Sequence, residues 1–262
     1  MKSSLSKKDF KKYEIEKKEV DIIVKILPTL RILEEGITRI GGEKYSTGSI
    51  VLLFLSKFLV FLEGDKDNPM YVRKFKEKLK AEMIVRCRDN LNIELLAMSS
   101  FCDMRYSHLN FLDILKRYEV ADADISKESV VATFQAEMEK IHDEERDLEI
   151  SPEPKTKKAR KSFLDNEEDD DDDGTQSVKV QLESYLKEIR IKPKECPGAW
   201  WRLNINKYPD IARLARKYFS VQGTSTPAKR VMSDMGIILN KKRLSMTNES
   251  FRMFMYFGDT VV

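Results

Sequence analysis

A chain of 262 residues has room for one large domain or two small ones. With 41% hydrophobic and 35% charged residues it is charge-rich, and its Lys, Glu, Leu and Met content favours helix over sheet. A net charge of +3 is too small to argue for nucleic acid by itself, so any DNA affinity would have to come from local patches.

Residues 1–148 are helical in pattern. Val20, Ile23, Val24 and Leu27 recur at helix spacing before Pro28, and Leu30, Leu33 and Ile37 continue the stripe until Gly41-Gly42 stops it. Ser46-Thr47 can cap the next helix, whose apolar run 50–62 carries Lys57 and falls short of the about 20 residues needed to span a bilayer. A buried helix is expected there. Met70 to about Cys87 reads as an amphipathic helix with Tyr71, Phe75, Leu79, Met83 and Ile84 on one side. Apolar stretches follow at Ile93–Met98 and Leu109–Leu112, and Ser126 to about Arg146 is a charged helix expected to be mostly exposed.

Residues 149–176 read as a linker: Ser151-Pro-Glu-Pro154 breaks helix, Lys155–Lys161 is basic, and 165–173 is almost wholly acidic. Such composition cannot offset an ordering entropy of about 1–2 kcal/mol per residue, so disorder is expected. Periodicity returns in 177–262, where Ile211, Leu214, Ala215 and Tyr218 lie at i, i+3, i+4 and i+7, as do Ala228, Val231, Met232 and Met235. The fold class is therefore all-α, in three zones: 1–148, 149–176 and 177–262.

Three cysteines, Cys87, Cys102 and Cys196, form no Cys-x-x-Cys pair, and the two histidines are His108 and His142. That spacing excludes a zinc finger, and the odd count points to a reducing compartment, with the cysteines read as small buried apolar residues. The opening Met1-Lys-Ser-Ser-Leu-Ser-Lys-Lys is too polar for a secretory signal, so an intracellular protein is expected. No metal site, cofactor, membrane contact or small-molecule substrate is expected.

The most specific motif set lies near the end. Trp200-Trp201, Tyr208-Pro209, the loop Ser220–Ser225, Arg230 and Ser233, and Asn240-Lys-Lys-Arg-Leu244 follow one another in order. Together they resemble the C-terminal dimerisation region of hobo–Activator–Tam3 (hAT) DNA transposases and their domesticated, BED-zinc-finger-associated relatives. Within that resemblance Met232 stands where phenylalanine is usual, and Thr226 followed by Pro227 reads as a helix start. A weaker resemblance covers Gly41–Thr47 and Phe101–Tyr106, where Asp103, Arg105 and Tyr106 match a family motif whose proline is replaced by Met104.

The resemblance implies a third catalytic carboxylate at the position that holds Lys229 here, and two aspartates in an RNase-H-like sheet that has no counterpart in these residues. Metal-assisted strand cleavage needs clustered carboxylates around two divalent ions. A lysine instead repels such an ion by about 4 kcal/mol per unit-charge pair at about 4 Å and an effective dielectric of about 20. Asp234 and Glu249 are too far along the chain to substitute. A catalytically inactive, nuclear, transposon-derived protein is expected. The alternatives are a fragment of a transposase whose metal site lies upstream, or a DNA-associated regulator without catalysis.

Homodimerisation is the expected activity, because about 80 residues are few to bury so many apolar side chains alone. The candidate interface is Trp200, Trp201, Tyr208, Ile211, Leu214, Ala215, Tyr218, Val231, Met235, Ile238, Phe251 and Phe254. Each can alternatively belong to an intramolecular core, covered by residues 1–148. Lys229, Arg230, Lys241, Lys242 and Arg243 are candidate DNA contacts or else solvated helix ends. Lys155, Lys157, Lys158, Arg160 and Lys161 form a nuclear-import candidate.

Overall fold

The computed structural model describes residues 16–42, 45–63, 67–149 and 178–226, with single positions 229, 230, 233 and 249; for 142–149 it describes the backbone alone. Among the described residues there are nine helices and no strand: α1 (Lys17–Ile40), α2 (Gly48–Leu62), α3 (Met70–Asn90), α4 (Ile93–Cys102), α5 (Phe111–Arg117), α6 (Lys127–Glu149), α7 (Val178–Leu186), α8 (Pro197–Asn204) and α9 (Pro209–Phe219). No described helix is long and apolar enough to cross a membrane.

Two helices form the spine, and both are apolar on nearly every side. Val51, Leu52, Leu55, Phe58, Leu59 and Leu62 of α2 are buried, as are eight of the ten residues of α4. A helix apolar all round must be enclosed by others. Accordingly α2 touches α1, α3, α4 and α5, while α4 touches α2, α6 and α9. Asn92 starts α4 by accepting from the Leu95 N–H at 2.9 Å. On α1, a Cβ at Gly36 would meet the Phe54 ring at 2.0 Å, so glycine permits α1 to lie this close to α2.

Helix α5 ends in a two-bond cap. Val120 N–H donates to the Leu115 carbonyl at 2.9 Å and Glu119 N–H to that of Lys116 at 2.8 Å. The cap requires a left-handed residue, and Glu119 fills that place with φ 56°. Glycine would take this conformation without the steric cost a Cβ brings.

One expectation is corrected. Helix α6 is charged, yet Val130, Phe134 and Met138 at i, i+4 and i+8 are fully buried, with Phe134 edge-on to Phe101 of α4 at 4.9 Å. Described residues of the zones 1–148 and 177–262 pack against one another. A single cluster of buried side chains runs from Ile40 through Phe101 and Phe134 to Tyr185, Trp201 and Tyr218. Continuous burial across both makes them one folding unit. The linker expectation for 149–176 lies outside the described residues, apart from the last position of α6.

Candidate dimerisation region

Three short helices, α7 to α9, bring the C-terminal aromatics onto the end of α4. The last carbonyls of any α-helix lack intrahelical partners. Here Tyr185 Oη donates to the Phe101 carbonyl at 2.7 Å and Trp201 Nε1 to the Cys102 carbonyl at 2.9 Å. The C-terminal helices thus close the C-terminal end of α4 with two side-chain donors. Around these bonds the rings interlock: Tyr185 stacks on Trp201 at 5.8 Å and meets Tyr208 edge-on at 5.7 Å, and Trp200 meets Trp201 edge-on at 4.8 Å. Burial pushes the Tyr185 phenol and the Cys102 thiol well above their ordinary pKa values, so both stay neutral donors and packing groups.

The next residue after α4 is Asp103, fully buried and met by four donors. Ser49 Oγ approaches at 2.8 Å, Arg105 N–H at 3.1 Å, Arg105 Nε at 2.9 Å and Nη2 at 2.6 Å. Two of the three matching residues of the Phe101–Tyr106 segment, Asp103 and Arg105, therefore form a forked ion pair, and the Ser49 bond ties it to the start of α2. Among the described residues, no three His, Cys, Asp or Glu side chains are grouped to hold a metal ion.

Helix α9 starts at Pro209, whose missing N–H costs nothing in the first turn. Its Asp210 and Gln181 of α7 bond reciprocally: Gln181 Nε2 donates to Asp210 Oδ2 at 2.7 Å and Asp210 N–H to Gln181 Oε1 at 3.3 Å. At the far end Tyr218 Oη donates to Glu137 Oε2 of α6 at 2.6 Å, and Lys217 pairs with the same oxygen at 3.1 Å. Burial raises the Glu137 carboxyl, but these donors outweigh it and hold the group below its ordinary value. Burial, then the bond to Glu137, pushes the Tyr218 phenol far up. Glu188 is likewise held low, first by Lys207 and then by the Tyr208 hydroxyl at 2.6 Å.

After α9 the chain docks on the corner between α1 and α2. Gly48 N–H, an unpartnered donor of α2's first turn, gives its proton to the Val221 carbonyl at 3.1 Å. Thr47 Oγ1 accepts from Gly223 N–H at 2.8 Å and donates to Gln222 Oε1 at 3.0 Å. A Cβ at Gly223 would lie 2.6 Å from Ile40 Cγ2 and 2.7 Å from Val51 Cγ2, which makes the tight fit a reason for glycine. Lys229 N–H bonds to the Ser225 carbonyl at 3.0 Å. That bond makes Ser225, one residue earlier than Thr226, the cap of the following turn.

The candidate interface residues divide sharply. Trp201, Tyr208, Ile211, Leu214, Ala215 and Tyr218 are buried inside the single chain, and Trp200 is half-buried against the same cluster. They are core and not a free face, because α4 and α6 supply the covering surface that a second copy was expected to give. Outside the core, Leu203 is 85% exposed and Ile189 87%, with Ile205 partly so. Ile205 also lines a groove of about 430 Å³ with Trp201, Ala212, Ala215 and Phe219. Lys229 and Arg230 are exposed; Arg230 Nη1 donates to the Gly41 carbonyl at 3.0 Å and so is tied to the end of α1. Val231, Met235, Ile238, Phe251 and Phe254 lie outside the described residues, as do Lys241, Lys242 and Arg243 and the basic run Lys155, Lys157, Lys158, Arg160 and Lys161.

The side chains that the sequence left unmarked are Ser49 and Gln181. Polar positions inside otherwise apolar helices were the one available signal. Comparison of the whole chain with curated proteins finds no match. Residues 181–260 match the model of the hAT family C-terminal dimerisation region. This stretch is therefore similar to the hAT C-terminal dimerisation region, which supports descent from a hAT transposase.

Proposed function

We propose that this chain is a homodimerising protein that does not cut DNA and works in the nucleus. The match of residues 181–260 to a dimerisation region carries the first part. The surface we assign to it is what the core leaves outside: Ile205 and the groove it lines, with the exposed Leu203 and Ile189. Residues such as Leu214 hold this surface in place from behind. Catalytic inactivity is supported by Lys229, a cation where the family resemblance implies a carboxylate, and by the structural engagement of Asp103. The basic run at 155–161 supports nuclear import.

Sedimentation equilibrium of the full chain tests the pairing. A dimer at tens of micromolar that Leu203→Glu weakens at least tenfold, with an unchanged melting temperature, is expected. A wild-type chain that stays monomeric through that range overturns the assignment. Nicking of supercoiled DNA by the full chain with Mg²⁺ would refute inactivity, and exclusion of a fluorescent fusion from nuclei would refute the localisation.

A further inference from the structure

Helix α1 carries a second apolar stripe that the dimerisation region does not use. From Lys17 to Lys25 every residue is exposed, so the first half of α1 is not enclosed by the other described residues. The stripe is Val20 (46% exposed), Ile23 (50%), Leu27 (36%), Leu30 (46%) and Ile37 (65%). Their spacing alternates three and four residues, with Glu34 in the one remaining seam position. That is the a/d repeat of a helix that packs along another helix. Thr29, Gly36 and Ile40, which face the body, lie on a neighbouring stripe, so the seam stays outside.

We infer that this seam pairs with the same seam of a second copy, antiparallel, about a two-fold axis near Leu27 and Leu30. Two arguments choose the occupant. The exposed parts of these five side chains and Val24 amount to roughly 500 Å² on each copy, about the nonpolar share (~65%) of the ~800 Å² per partner in a standard homodimer interface. The repeat is also self-complementary in only one direction. Antiparallel pairing matches Val20 with Ile37, Ile23 with Glu34 and Leu27 with Leu30, and closes on itself. Parallel pairing would set two Glu34 carboxylates against each other in the seam, a like-charge contact that disfavours that direction.

This face is independent of the C-terminal region, so a chain using both builds assemblies larger than a dimer. Cysteine cross-linking of the full chain in a Cys196→Ser background, with the parent as control, tests it. The double variant Val20→Cys/Ile37→Cys is expected to give a covalent dimer under mild oxidation, while either single variant gives none. Linking by Val20→Cys alone would mean parallel pairing and overturn the arrangement. No linking by any variant would overturn the face itself. As a second measurement in the Leu203→Glu chain, Ile23→Glu should raise the α1 dissociation constant at least tenfold without lowering the melting temperature, and Glu34→Leu should lower it. A monomeric chain whose melting temperature falls with Ile23→Glu would instead show the stripe covered by the chain's own remaining segment, and the proposal would fail.

Discussion

Tyr185 and Phe101 stand 84 positions apart, yet the phenol of one bonds to the carbonyl of the other at 2.7 Å while their rings meet edge-on at 5.4 Å. The same residue that caps α4 also packs against it. Replacing Tyr185 with Phe would keep the packing and orphan the carbonyl, at a cost of about 1–3 kcal/mol. In a protein of this size that corresponds to a fall of roughly 2–4 °C in Tm per kcal/mol, readable by calorimetry.

Leu214 is the test of whether α9 belongs to the core. It is fully buried in the face that α9 turns toward α4 and α6. Leu214→Ala should destabilise the whole chain by about 2–5 kcal/mol in urea unfolding, in one cooperative transition. Residues 178–262 expressed alone should show no sharp melting, since Phe101, Phe134 and Met138 would be missing from their core. An independent, sharply melting fragment would contradict the shared core.

Acid should loosen the C-terminal helices. Glu137 and Glu188 have carboxyls held below their ordinary values in the folded chain. The unfolded chain then binds protons first as pH falls, so their stabilisation is present above the ordinary carboxylate pKa of about 4.3 and is lost as pH drops through the lower folded value. Tm measured from pH 7 to pH 3 should decline below about pH 4.5, and Glu137→Gln with Glu188→Gln should flatten that decline.

Glu119 offers a substitution of opposite sign. Its left-handed backbone closes α5, and its side chain makes an exposed pair with Arg88 at 3.4 Å that is worth little. The Arg88 Nε bond to the Glu119 carbonyl at 2.7 Å survives any side chain. Glu119→Gly should therefore raise stability by about 1 kcal/mol in chemical denaturation.

Much of this was legible from residues alone, for identifiable reasons. The unbroken apolar run of α2 announces a buried helix whatever encloses it, and the ordered motifs from Trp200 to Ser233 announce the dimerisation region. Helix α6 hid its buried stripe because Glu and Lys outnumber Val130, Phe134 and Met138 around it. The placement of Trp201 and Leu214 was undecidable in principle. An amphipathic face records that something covers it and not which segment does, and here the cover is α4, about a hundred positions earlier. Of the three cysteines expected to be buried as small apolar residues, Cys102 is buried, Cys87 partly so, and Cys196 is exposed, against the expectation.

Gly223 wedged against Ile40 and Val51, with Arg230 fastened to the Gly41 carbonyl, joins the stretch after α9 to the C-terminal end of α1. Force applied to the segment beyond residue 230 is therefore delivered to the root of α1. A partner gripping that segment would work α1 as a lever arm, steering where its far tip points.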